Sequence, residues 1–130
     1  MVNVIKTKLY ELIKELGYPV VDTAYSINDE INYPFIRLNL LNISRENYNN
    51  SYTYSYSFQI DIFTNYKGEK QTLEIEEAIF NKISSLYEID NIAYIRQRSF
   101  KLFDDKSLSI IRKHGVIVYD ITVAGLREEK

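Results

Sequence analysis

Residues 52–64 read Tyr-Thr-Tyr-Ser-Tyr-Ser-Phe-Gln-Ile-Asp-Ile-Phe-Thr, and this alternation decides the fold. Tyr52, Tyr54, Tyr56, Phe58, Ile60 and Ile62 share one parity, while Thr53, Ser55, Ser57, Gln59 and Asp61 share the other. Successive side chains of a β-strand point to opposite faces, so the segment is a strand with one apolar and one polar face. It is much longer than the usual five or six residues. An aromatic stripe of that length needs a surface to cover it.

Working outward, Asn42–Ser51 is rich in turn formers, and Phe35–Ile43 before it reads as a second strand entered through Tyr33-Pro34. The two strands form a hairpin with a substantial connection. Upstream, Val20–Tyr25 reads as a short strand and Ser26–Tyr33 as a polar loop. Before these, Ile5, Leu9, Leu12, Ile13 and Leu16 make one helical stripe over 2–16, closed by Gly17 and Pro19. Downstream, Tyr66-Lys67-Gly68 breaks the pattern and a helix over about 69–87 follows. Its stripe is Leu73, Glu76, Ile79, Phe80, Ile83, Leu86 and Tyr87, with Glu76 interrupting it. Strands at Ile92–Phe103 and Val116–Ala124 flank a connection at 104–115 that holds the apolar clump 108–111, and 127–130 is a charged tail. The order α-β-β-β-α-β-β predicts a single α+β domain over 1–130. Its sheet has about five strands, mainly antiparallel, with two helices on one face.

Composition narrows the function classes. With 45% hydrophobic and 26% charged residues the chain belongs with ordinary globular proteins. Its net charge of −2 gives no global attraction for nucleic acid or acidic membrane. The absence of cysteine removes disulfides, thiolate nucleophiles and zinc–thiolate sites. The N-terminus lacks the apolar core of a signal peptide, and no apolar run approaches a membrane span. The lean toward Ile, Asn, Lys and Tyr fits an AT-rich genome.

Few residues offer chemistry. Asp104-Asp105-Lys106, with Asp61 and Asp90 upstream, supplies the residue types of a metal-dependent nuclease. Turn composition after a strand accounts for the run without a metal. His114, the only histidine, has no serine elbow or cysteine to activate and reads as a solvated loop residue. The four glycines are isolated, so no phosphate-cradling loop is present. No catalytic, cofactor-binding or metal-ligating residue is assigned.

The tyrosines remain. Aromatic platforms for bases interleave with Lys and Arg, yet no basic residue lies between Tyr48 and Tyr66. That charge pattern argues against a nucleic-acid partner. Tyrosine also suits protein contacts, where one end is buried and the other hydrogen-bonds. Arg96, Arg98 and Lys101 form a basic strip on the fourth strand. By simple alternation Arg96 and Arg98 share a face with Phe100, an arrangement suited to salt bridges across a subunit contact. The candidate interface residues are Tyr48, Tyr52, Tyr54, Tyr56, Arg96 and Arg98. For Tyr52, Tyr54 and Tyr56, core packing is an equally open reading.

The chain resembles the tail-terminator, or tail-completion, proteins of long-tailed bacteriophages. The residues that carry this are the N-terminal amphipathic helix, Tyr33–Leu40 (YPFIRLNL), Tyr56–Ile79 (YSFQIDIFTNYKGEKQTLEIEEAI) and Gly115–Gly125 (GVIVYDITVAG). The resemblance implies an α+β subunit of a hexameric ring that caps the tail tube and stops its polymerisation. It implies three partners: further copies of itself, the tail tube protein, and the head-tail connector or stopper that docks on the ring. It also implies a location at the head-tail junction of a virion assembled in the bacterial cytoplasm. A head-completion or stopper protein is the alternative reading, followed by a small nuclease or nucleic-acid module.

Overall fold

The computed structural model describes residues 1–22, 34–64, 69–105 and 112–126. Helix α1 (Val2–Lys14) leads into β1 (Val20–Asp22), and β2 (Phe35–Asn47) and β3 (Ser51–Thr64) form a long hairpin. Helix α2 (Lys70–Ile83) runs into a 3-10 segment (Ser84–Glu88), and β4 (Ile92–Asp105) and β5 (Arg112–Leu126) complete the sheet. The strand order is β1-β2-β3-β5-β4, with β1 parallel to β2 and the other pairs antiparallel. This is the α+β architecture that the sequence predicts. The α2 connection carries the chain past the place that β5 later fills.

The period-two pattern of β3 selects the inner face of the sheet. Tyr56, Phe58, Ile60 and Ile62 meet Ile36 and Leu38 of β2 and Ile117, Tyr119, Ile121 and Val123 of β5 in one core cluster. The helices close it with Ile5, Leu9, Leu12 and Ile13 from α1, and Ile75, Ile79 and Ile83 from α2. Each such side chain contributes about 1.5–3 kcal/mol by leaving water. Beyond α1, Gly17 adopts φ 90, the left-handed conformation that glycine enters without a Cβ penalty.

The structure corrects several sequence expectations. The stripe of α2 is Thr72, Ile75, Ile79 and Ile83, continued by Leu86, whereas Leu73, Phe80 and Tyr87 are exposed. The helix is rotated from the phase that Leu73 and Phe80 suggest, and Glu76 lies on its flank. The hairpin connection at 42–51 is mostly strand. β2 runs to Asn47, β3 starts at Ser51, and the Tyr48 N–H donates to the Ser51 carbonyl at 2.8 Å. Cross-strand pairing overrides the turn composition of Asn42, Ser44 and Asn47. β4 and β5 likewise extend beyond 103 and before 116. The apolar clump at 108–111, the polar loop at 26–33, residues 23–25 of the first predicted strand, the break at 66–68 and the tail at 127–130 lie outside the described residues.

Candidate assembly surface

The distal half of the β2–β3 hairpin forms an arm. From Leu41 to Asn50 every residue is exposed except the half-buried Ile43. At its tip Tyr48 is 51% exposed, and its hydroxyl donates to the Glu46 carboxylate. That bond, followed by the carboxylate charge, raises the Tyr48 phenol above its ordinary pKa. Tyr52 and Tyr54 are half-buried, with ring centroids 4.9 Å apart. Tyr52 lies across Gly125, where a Cβ would come within 2.7 Å of its hydroxyl oxygen. Only glycine leaves room for that ring. Tyr54 donates to Asn47 Oδ1 at 2.9 Å, and the Arg45 guanidinium stands 5.8 Å from its ring centroid.

Tyr56 is different. It is 1% exposed and packed within the helix-side core, the core-packing reading of this tyrosine. Its position opposite Ile43 and Ile121 puts it under the helices, one step short of the arm.

The opposite face of the sheet carries two polar networks and an aromatic row. Register aligns Phe35, Phe63, His114 and Phe103 across four strands. Phe35 and Phe63 stack at 4.6 Å, and His114 stacks on Phe63 at 4.2 Å. In the next row Asp61 is fully buried and accepts from Gln59 Nε2 at 3.0 Å and Arg37 Nε at 3.3 Å. His114 Nε2 faces it at 2.9 Å. An ionised carboxylate only accepts, so that ring nitrogen carries the proton. Burial alone would raise the Asp61 pKa. The bonds from His114 and Gln59, with the His114 and Arg37 charges, outweigh burial and hold it below the ordinary value. His114 is therefore a half-buried strand residue hydrogen-bonded to Asp61 and not the solvated loop residue that its sequence context suggests.

The second network contains one of the predicted arginines. Arg98 reaches Asp120 with both Nε (3.0 Å) and Nη2 (2.5 Å), and Nη2 also donates to Ser57 Oγ at 3.0 Å. Ser57 in turn donates to Asp120 at 2.7 Å. Burial opposes ionisation of Asp120, and the Arg98 and Ser57 bonds, aided by the Arg98 and Arg96 charges, lower its pKa nonetheless. Arg96 is exposed opposite Asp120. A register shift between Gln97 and Ser99 changes the alternation, so Phe100 faces the core opposite Ile117 while Arg96 faces outward. The predicted shared face of Arg96, Arg98 and Phe100 is undone by this bulge.

The structure brings Tyr48, Tyr52 and Tyr54 together on the arm and places Arg96 and Arg98 on the far strand β4. Of the nuclease candidates, Lys106 and the side chain of Asp105 lie outside the described residues, and Asp61 and Asp104 do not converge. Asp104 bonds Lys113 at 2.6 Å on the opposite face from Asp61. Among the described residues no three His, Cys, Asp or Glu groups are arranged to hold a metal ion. The His114–Asp61 and Arg98–Asp120 pairs were not foreseen. The polar parity of β3 was their one signal, and it lacked the register that names the partners.

The class defined by this geometry is an α+β layer pair with helices on one face and a long β2–β3 hairpin whose distal half is exposed along β2 and stays paired with β5 along β3 as far as Ser51. No protein-family model matches the chain, and a search of curated proteins finds no match. Among solved structures, the chain is similar to one from the virion of a native gene transfer agent (GTA) particle. The two share 12% identity with a TM-score of 0.55, over 88% of this chain and 84% of that one. At that identity the likeness is one of fold.

Proposed function

We propose that the chain is a structural protein of a virion and acts as a tail terminator. It forms a ring on the end of the tail tube, stops tube polymerisation and offers the surface on which the head connector docks. The observation that carries this reading is the fold shared with a virion subunit along most of both chains. The element order and the motifs Tyr33–Leu40, Tyr56–Ile79 and Gly115–Gly125 support the finer assignment by resemblance. An exposed hairpin end and a sheet with two different flanks suit a ring, because rotational closure joins one surface to a different one on the neighbour.

The test is electron microscopy of particles assembled without this protein. A terminator's absence leaves overlong tail tubes, and adding the purified chain back restores uniform length. Finished tails without heads would overturn the terminator reading and point to a head-completion or stopper role. Normal particles would overturn both.

A further inference from the structure

Two flanks of the sheet are complementary. On one, the helix-side face of the arm carries Ile43, Arg45, Asn47, Tyr52 and Tyr54, so its single charge is positive. On the other, α2 and the segment after it turn Leu73, Phe80 and Tyr87 to solvent. Their seven-residue spacing sets these side chains along one line of the helix surface. Beside that line a groove of about 310 Å³ between α2 and β4 is lined by Phe80, Ile83, Tyr87, Ile95 and Tyr119, among others. An adjoining recess shares Phe80 and adds Leu73, Glu76 and Glu77. The groove itself is lined by no charged residue among those described, and the adjoining recess carries Glu76 and Glu77 and no cation.

We infer that this α2–β4 groove receives the β2–β3 arm of a second copy of the chain, a docking that rests on the ring reading above. Three observations select that occupant. Apolar residues meet apolar residues, with Tyr52 and Tyr54 opposite Phe80 and Tyr87. Charge is matched, with Arg45 brought to Glu76 and Glu77 of the adjoining recess, whereas those two carboxylates set against their own copy would repel. The strand order puts β2 and β4 on opposite sides of the sheet, so donor and acceptor do not compete within one molecule. A head-to-tail contact that closes on itself requires such a pair of unlike surfaces. The outer side of β4 has no strand beside it among the described residues, and the Ile95 N–H is taken by the Tyr87 hydroxyl at 3.0 Å. The arm therefore seats by its side chains over Phe80 and Tyr87.

The chain has no cysteine, which makes cross-linking clean. Asn50→Cys at the arm tip and Asn81→Cys in the groove lining, both exposed and outside the proposed contacts, are prepared separately, then mixed with a short bis-maleimide, alone and with tubes of the tail tube protein encoded in the same genome. The docking predicts a mixed cross-linked product well above that of either preparation alone. Arg45→Glu and Glu77→Arg, both at exposed positions, should each weaken assembly on the order of a hundredfold, and combining them should restore most of it. Far-UV circular dichroism checks that each variant is folded, and Phe80→Ser provides an uncharged second probe. A chain that assembles or binds tubes, yet gives no mixed product and tolerates both reversals, overturns this docking alone. A wild-type chain that neither assembles nor binds tubes overturns the ring reading and the docking with it.

Discussion

Tyr54 and Tyr56 stand two residues apart on the same face of β3, yet one is half-buried on the arm and the other is closed under the helices. Tyr56→Ser empties a well-packed site and should cost roughly 3–5 kcal/mol. Tyr54→Ser removes a hydrogen bond to Asn47 and a tilted ring contact with Tyr52, and should cost about 1 kcal/mol. Urea titrations of the two variants should separate accordingly, and equal losses would remove the distinction. Asp61 and Asp120 make a second prediction. Both have lower pKa values in the folded chain than an ordinary aspartate. The unfolded chain therefore takes up protons first as the pH falls. Their stabilisation is fully present above about pH 4, the ordinary aspartate value, and fades as the pH drops through the lower folded values. Melting temperature should fall steeply on that acid side, with a shallower slope in Asp120→Asn. An unchanged slope in that variant would show that Asp120 takes no part.

At the scale of elements, the arm is tied to the body through β3, whose Tyr52–Ser55 pair with Gly125–Thr122 of β5. Ser44, Arg45, Glu46 and Asn47 pair with Ser55, Tyr54, Thr53 and Tyr52 in turn. Deleting both sets leaves Ile43 opposite Tyr56, with Tyr48–Ser51 as a connecting loop. The shortened chain should stay folded but melt at a lower temperature, because Thr122–Gly125 of β5 lose Ser55–Tyr52 as partners while Thr122 and Val123 stay paired to β4. It should lose assembly, as measured by sedimentation. Retained assembly would take the contact away from the arm. The elements also show what was legible beforehand. Strand β3 and helix α1 were clear because their apolar periods are strong. The ends of β2, β4 and β5 were not, because polar residues such as Asn42, Ser44 and Lys113 join a ladder only when a neighbouring strand supplies partners. The hydropathy of helix α2 points to the wrong phase. Thr72 is as buried as any isoleucine there, and Leu73 is exposed, a reversal that hydropathy cannot signal.

For the whole molecule, the sheet is finished on one face by helices and is left with unlike flanks. β3 and β5 are enclosed between neighbours, and β4 ends the sheet opposite the β1–β2 side. This asymmetry makes head-to-tail assembly the economical arrangement, since each copy offers one arm and one groove. The opposite face is internally satisfied. Its carboxylates at Asp61 and Asp120 meet cations and donors of the same chain, and Arg98 is held among them. That leaves Arg96 and Lys101 as exposed cations of the β4 strip, too few to form a phosphate-binding track.

The sequence by itself determined the element order, the inner face of the sheet and the absence of thiol chemistry, because side-chain period and composition are local properties. Tertiary structure alone decided that Tyr56 is core while Tyr48, Tyr52 and Tyr54 line the arm. It also joined His114 to Asp61 and Arg98 to Asp120, and turned Leu73, Phe80 and Tyr87 outward. Those facts depend on register, on a bulge and on the rotation of one helix. Each is set by contacts between residues far apart in the chain, which no local pattern encodes.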